Sequence, residues 1–146
     1  MTTPAETAQE REQRLAYEAA EKSYRAFRSD LRRVTATGGA ASATPTMRST
    51  ASGPYLKKNT EIVRAFREVR GYTKGETKYG YIRPAGYSVE SLLLDVCEDE
   101  RTVSTFDSNR KKIATNGLLK LSIDVRRIDG QWKVWSEDGD EVPSCA

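Results

Sequence analysis

The sequence has 146 residues, 37% of them hydrophobic and 31% charged, so it supplies one modest core and excludes a fully disordered chain. A helix needs about 20 apolar residues to span a bilayer, whereas no apolar run here is longer than Leu92-Leu93-Leu94. The first residues lack the basic and apolar segments of a signal peptide, so we expect no intact secretory precursor.

The charge balance excludes several classes of function. Lys and Arg number 24 and Asp and Glu number 21, and a net charge of +3 is too small to indicate nucleic-acid binding. The sequence contains no histidine, which excludes a Ser-His-Asp triad, a histidine zinc site and a histidine general base. Catalysis would have to rest on carboxylates, Tyr, Lys or Cys. We predict no catalytic residue, no metal and no cofactor.

Two helices are predicted in the first half of the chain. Thr3, Pro4 and Glu6 form a helix-start pattern. Apolar residues then recur at steps of three and four: Tyr17, Ala20, Tyr24, Phe27, Leu31 and Val34. The sequence thus divides into an N-terminal amphipathic helix at 1–37, an Ala/Ser/Thr/Gly-rich flexible linker at 38–53 with room for one helical turn, and a second helix that begins the segment 54–146. The first helix is long enough to project beyond its own core.

Strand patterns fill the rest of the chain. Alternation predicts strands at 76–82, 87–97, 101–106, 118–128 and 131–136, with Tyr79 and Tyr81 on one face and a polar break at Glu98-Asp99-Glu100. Asp129-Gly130 predicts a hairpin, and the last residues read as a polar tail. The predicted fold is α+β: a long N-terminal helix and a second helix pack on a curved antiparallel sheet of four to five strands, and 54–146 forms one domain with the first helix.

Three segments carry a family resemblance: LLLDVCED, LSIDVRRIDGQWKV and the final PSC. They resemble a family of small actinobacterial proteins, secreted or from mobile elements, that is similar to the nuclear-transport-factor-2-like or cystatin-like cone fold. The resemblance implies that Cys97 and Cys145 pair. From the residues alone the two cysteines are either idle thiols or a disulfide, depending on the compartment. The resemblance implies secretion or the cell envelope, whereas the absent signal peptide favours a virion or the cytoplasm.

The candidate site residues are one carboxylate that the strand pattern disfavours, a group of aromatic residues and a group of arginines. Strand alternation puts Asp95 on the outer face, opposite Leu92, Leu94 and Val96, which disfavours Asp95 as a catalytic acid inside the cone. Pocket or interface aromatics are predicted at Tyr79, Tyr81, Tyr87, Trp132 and Trp135. A basic contact face is predicted at Arg25, Arg28, Arg32, Arg64 and Arg67, although interleaved acids favour a solvated, salt-bridged surface.

These observations favour a non-enzymatic protein-binding or assembly module, an accessory component of a larger complex. We expect its partner to be a protein, including copies of this chain. We expect no membrane span in the chain and no nucleic-acid partner. One alternative is a structural virion protein of an actinobacterial phage or mobile-element machine. The other is a cone-pocket small-ligand binder or an isomerase-like enzyme.

Overall fold

Three helices precede and cover two antiparallel sheets in the computed structural model, which describes residues 4–146. The helices are α1 (Ala8–Ala36), α2 (Pro45–Thr50) and α3 (Gly53–Val69). Seven strands follow: β1 (Tyr72–Lys74), β2 (Lys78–Tyr87), β3 (Ser91–Asp99), β4 (Ser104–Phe106), β5 (Lys112–Thr115), β6 (Leu118–Ile128) and β7 (Gln131–Glu141). No helix within the described range is both long enough and apolar enough to cross a membrane.

The larger sheet forms the wall of the cone. Its four strands lie in the order β2-β3-β6-β7, and the smaller sheet has the order β1-β4-β5. Apolar side chains from the inner face of β3, β6 and β7 meet the buried ridge of α1 to form the core: Leu92, Leu94, Val96, Leu121, Ile123, Val125 and Val134 on the strands, with Ala20, Tyr24, Phe27, Leu31 and Val34 on the helix. The structure therefore confirms the α+β arrangement of helices on a curved antiparallel sheet.

Helix α1 begins later than predicted. Its N-cap is Thr7, whose side-chain oxygen accepts a hydrogen bond from the backbone N–H of Glu10 at 3.0 Å. The predicted cap Thr3 lies outside the described residues. Residues 8–15 are exposed, and burial starts at Ala16, so the first two turns extend past the core as the helix length predicts.

The segment at 38–53, predicted as an Ala/Ser/Thr/Gly-rich linker with one helical turn, contains the six-residue helix α2 and packs against the core. Thr44 caps α2 by accepting a hydrogen bond from the N–H of Met47, and the Met47 side chain is completely buried. Gly39 adopts a φ of +86°, and a Cβ there would lie 2.2 Å from the carbonyl oxygen of Val63. The connection therefore packs tightly against α3, and its small residues allow that close approach.

Two strand predictions also need correction. The register pairs Tyr79 with Glu98 and Tyr81 with Cys97, so a β-bulge at Gly80 places the two tyrosines on opposite faces. Strand β7 continues to Glu141, because the 11-residue β6 supplies partners along its whole length, down to the pair of Leu119 and Glu141. The predicted polar tail is therefore largely strand.

Candidate functional site

A carboxylate lies inside the core, where the sequence predicted a polar break. Leu92, Leu94 and Val96 alternate along the inner face of β3, and Glu98 occupies the next inward position with 1% of its surface exposed. Glu100, just beyond the strand, is 2% exposed. Carboxylates are almost never buried without a partner, so both side chains require positive charge nearby.

Helix α1 supplies that charge from one of its ridges. Arg28 lies one turn after Tyr24, and Arg32 lies one turn after Arg28, so both guanidinium groups point toward the end of β3. The Nε atom of Arg28 donates to Glu98 at 2.8 Å. Arg32 forms an ion pair with Glu100, which also accepts a hydrogen bond from the hydroxyl of Thr77. These four charged groups are the interior ion cluster: Arg28, Arg32, Glu98 and Glu100.

Three tyrosines surround the interior ion cluster. Burial raises the pKa of the Tyr24 and Tyr55 hydroxyls well above the ordinary value of 10. Neither hydroxyl has a hydrogen-bond partner among residues 4–146. Tyr79 packs edge-on against Tyr24 with ring centroids 6.0 Å apart. Burial and the Glu98 carboxylate raise the pKa of Tyr79 to about 12.

Glu98 itself has a strongly altered acidity. Burial raises its pKa from 4.5 to about 7, while the positive charge of Arg28 opposes that rise and the charges of Glu100 and Glu137 add to it. A carboxyl group that titrates near neutrality can accept or release a proton at physiological pH. An acid that titrates near neutrality therefore lies close to the buried phenol groups of Tyr24 and Tyr55.

The interior ion cluster lies between two clefts. One has a volume of about 430 Å³ and is lined by Asn59 of α3 and by Arg28, Arg32 and Glu100. The other has a volume of about 340 Å³ and is lined by Arg28, Arg32 and Tyr79. Small polar molecules could therefore approach the arginines from either side.

The structure divides the predicted basic contact face. Arg28 and Arg32 are largely buried, because each pairs with an interior glutamate rather than facing solvent. Arg25 is half exposed and pairs with Glu21 at 3.3 Å. Arg64 and Arg67 are exposed on α3. Because the two central members point inward, these five arginines do not form a continuous basic surface.

The predicted aromatic residues are also separated. Tyr79 lies beside the interior ion cluster, whereas Tyr81 lies on the outer face below the guanidinium of Arg83, 3.9 Å from its ring centroid. Tyr87 and Trp132 pack at the edge of the core. Trp135 lies under Arg126, at 4.4 Å from the ring centroid. Tyr87 and Trp132 line one small cleft together, whereas Tyr79, Tyr81 and Trp135 lie at separate places.

The outer face of the larger sheet carries a covalent cross-link. Cys97 and Cys145 form a disulfide with their Cα atoms 6.0 Å apart, which agrees with the pairing that the resemblance implies. Asp95 lies on this face as predicted, with its carboxylate 2.9 Å from Nη2 of Arg83. Since it points away from the core, Asp95 cannot serve a reaction inside the cone.

A third surface lies where α1 extends past the core. An open groove of about 520 Å³ runs between the first turns of α1 and strand β2. We call it the α1–β2 groove, and its lining comprises Glu10, Gln13, Arg14, Tyr17, Glu18, Glu21, Ile82, Arg83, Pro84 and Leu94.

Across residues 4–146, no group of three or more His, Cys, Asp and Glu side chains is placed to hold a metal ion. The two interior glutamates make ion pairs with arginines, whose positive charge would repel a cation from the same position.

Comparisons with known proteins identify the fold. No protein-family model matches the chain, and no curated protein matches its sequence. The intermembrane-space region of the chloroplast protein ARC6 superposes with a TM-score of 0.56 at 11% identity, over 83% of this chain and 96% of that one. A candidate dehydratase of the NTF2-like family from Streptomyces avermitilis superposes with a TM-score of 0.50 at 13% identity, over 87% and 96%.

These likenesses concern the fold, since both identities are low. They support the cone part of the resemblance seen in the sequence. The actinobacterial mobile-element family stays a prediction. The chain thus has an NTF2-like α+β fold, a buried ion cluster inside the cone, and an open groove beside its projecting helix.

Proposed function

We propose that the chain is a non-enzymatic protein-binding module and an accessory component of a larger complex. The observation that carries this proposal is the position of residues 8–15, two exposed helical turns that extend past the core beside the open α1–β2 groove. A helix that leaves its own core exposes side chains and ordered backbone that a partner can contact at little cost in conformational entropy.

The packing of the interior supports the same proposal. Tyr24, Phe27, Val96 and Ile123 each have no exposed surface, so the chain's own side chains fill the centre of the cone. The charged groups there are paired, since Arg28 and Arg32 of α1 bind Glu98 of β3 and Glu100 just beyond it. A small-molecule site ordinarily encloses most of its ligand in an apolar cavity, whereas the clefts and the groove described above are open to solvent.

A photo-crosslinking experiment tests this proposal. A photoreactive amino acid is introduced at Gln13 in the α1–β2 groove, at Leu93 on the outer sheet face, and at Ile113 on the smaller sheet, and each variant is expressed in the cells that make the chain. Leu93 and Ile113 are exposed apolar positions and therefore serve as matched reporters. We expect a discrete protein adduct at position 13 and none at position 113. If no position yields an adduct, the protein-binding proposal is wrong.

The interior ion cluster supports a second candidate function, a cone-pocket ligand binder or isomerase-like enzyme. Burial raises the pKa of Glu98 to about 7, and the buried hydroxyls of Tyr24 and Tyr55 are potential hydrogen-bond donors to a developing oxyanion.

Proton exchange tests this second function. A panel of simple ketones in deuterated water measures the exchange of protons next to the carbonyl. An enzyme would lose about 100-fold or more of this rate in Glu98→Gln and keep it in the outer-face control Asp95→Asn. Exchange no faster than in buffer would exclude this function for these substrates.

A further inference from the structure

The projecting end of α1 differs in charge from the rest of the molecule. Residues 4–21 contain five glutamates and two arginines, a net charge of −3 in a chain whose net charge is +3. Glu6, Arg14 and Glu18 form one exposed ion-pair set, with Arg14 2.7 Å from Glu6 and 3.1 Å from Glu18. This end of α1 is therefore an acidic patch on a basic protein.

Acidic and apolar groups face the same space in the α1–β2 groove. Tyr17, Ile82, Pro84 and Leu94 supply the apolar lining, and the glutamates of α1 at positions 10, 18 and 21 line the helix side. The two arginines of the groove are already compensated, Arg14 as described above and Arg83 by Asp95. Glu10 makes no ion pair within residues 4–146, so the groove keeps an excess of negative charge.

The backbone of β2 limits the kind of segment that can bind here. Strand β2 is an edge of the larger sheet, where a partner strand could be added. Pro84 has no N–H, however, and the N–H of Gly86 already donates to the hydroxyl of Tyr17 at 3.0 Å. This half of the edge is therefore poorly suited to strand addition, and a ligand must contact side chains.

We propose that the α1–β2 groove binds an amphipathic helix of a partner protein, with an apolar stripe flanked by basic residues. One ridge of α1 lines the groove with residues at steps of three and four: Glu10, Gln13, Tyr17 and Glu21. Such a ridge spans about three turns and is the kind of surface on which a second helix packs. The inference rests on the proposed protein-binding function and specifies the chemistry of the partner.

Two synthetic helical peptides test the proposal against the full chain. One has leucines at positions i, i+3, i+4 and i+7 with flanking lysines, and the other replaces each lysine by glutamate. Fluorescence anisotropy at low salt should show binding of the lysine peptide, weakening as ionic strength rises. The double variant Glu10→Lys and Glu18→Lys should reduce affinity at least tenfold. Glu12→Lys, on the same exposed turns but outside the groove lining, should change affinity less than about twofold.

Several results would overturn the inference. If the Glu12→Lys variant lost as much affinity for the lysine peptide as the double variant, the peptide would be attracted to net charge rather than to the groove. Equal binding of the glutamate peptide would exclude a basic partner. Concentration-dependent self-association that the double variant abolishes would identify a second copy as the occupant. A cellular crosslink at Leu93 but not at Gln13, without peptide binding, would refute this inference and leave the protein-binding function intact.

Discussion

The Nε atom of Arg28 on α1 donates a hydrogen bond to Oε1 of Glu98 on β3 at 2.8 Å, and 70 residues separate the two along the chain. Arg28 is 13% exposed and Glu98 is 1% exposed, so water screens their interaction only weakly. Each charge stabilises the other, because burying an ion without its partner raises the free energy of the folded state by the full desolvation penalty. The pair therefore fixes the long helix against the end of the strand.

Removing the arginine should strongly destabilise the fold. Arg28→Met leaves Glu98 buried without its closest positive charge, and we expect a loss of about 3–5 kcal/mol in the free energy of unfolding. The control Arg25→Met removes an exposed pair with Glu21 one turn away, and we expect a loss below about 1 kcal/mol. Denaturant unfolding measures both. Equal losses would contradict the assigned importance of the buried pair.

Glu98 should make stability depend on pH between about 4.5 and 7. Because burial raises its pKa in the folded chain to about 7, the folded state retains a proton that the unfolded chain releases. Its stabilising contribution is complete below pH 4.5 and is lost as the pH rises to 7. We expect Glu98→Gln to flatten this part of the stability profile, measured by denaturant unfolding across that range.

Asp99 offers a matched control for this profile. Hydrogen bonds from Arg101 lower the pKa of Asp99 to about 2, so its contribution changes only in acid, below about pH 4. Asp99→Asn should therefore leave the slope between pH 4.5 and 7 unchanged. A slope that survives in Glu98→Gln would mean that another group titrates there.

The disulfide should contribute measurably to stability. Cys97 and Cys145 are 48 residues apart, and closing such a loop restricts the unfolded chain. We expect the non-reduced protein to lack two hydrogens in its intact mass, and reductant to lower the free energy of unfolding by about 2–4 kcal/mol. The double variant Cys97→Ser and Cys145→Ser should show the lower stability with and without reductant. Two free thiols in the purified native protein would contradict the cross-link.

The connection between α1 and α3 should behave as core. Met47 of α2 is fully buried, so Met47→Ala should reduce the free energy of unfolding by about 2–5 kcal/mol. The neighbouring Ser49→Ala, at an exposed position of the same short helix, should change it by less than about 0.5 kcal/mol. Comparable small effects would indicate that the segment is the loose linker that its composition suggests.

Patterns set by local chemistry were predictable from the sequence. The apolar ridge of α1 and the alternation along β6 identify their buried faces, and Asp129-Gly130 forms the expected hairpin with φ angles of 52° and 77°. These features depend on neighbours within a few residues. For that reason the helices α1 and α3, the hairpin and the outward position of Asp95 followed from the sequence alone.

Features that depend on distant partners were not predictable in the same way. Glu98 read as part of a polar break, because its buried position depends on Arg28, 70 residues earlier. Extending the alternation of Leu92, Leu94 and Val96 by one step would have placed it inside. Met47 has too few apolar neighbours to show a period. Gly80 is the local signal that could have indicated the bulge, because glycine inside a strand pattern often marks one.

The disulfide also determines how the molecule would respond to a protease. Strands β4 to β7 all lie between Cys97 and Cys145, so one cut anywhere in that stretch leaves two pieces covalently joined until a reductant is added. A single cut between α1 and α2 leaves no covalent link to the long helix. Noncovalent contacts alone then hold it in place, among them the core contacts and the pairs of Arg28 with Glu98 and Arg32 with Glu100. In denaturant without reductant, nicked protein should therefore stay joined in its second half and release its first helix.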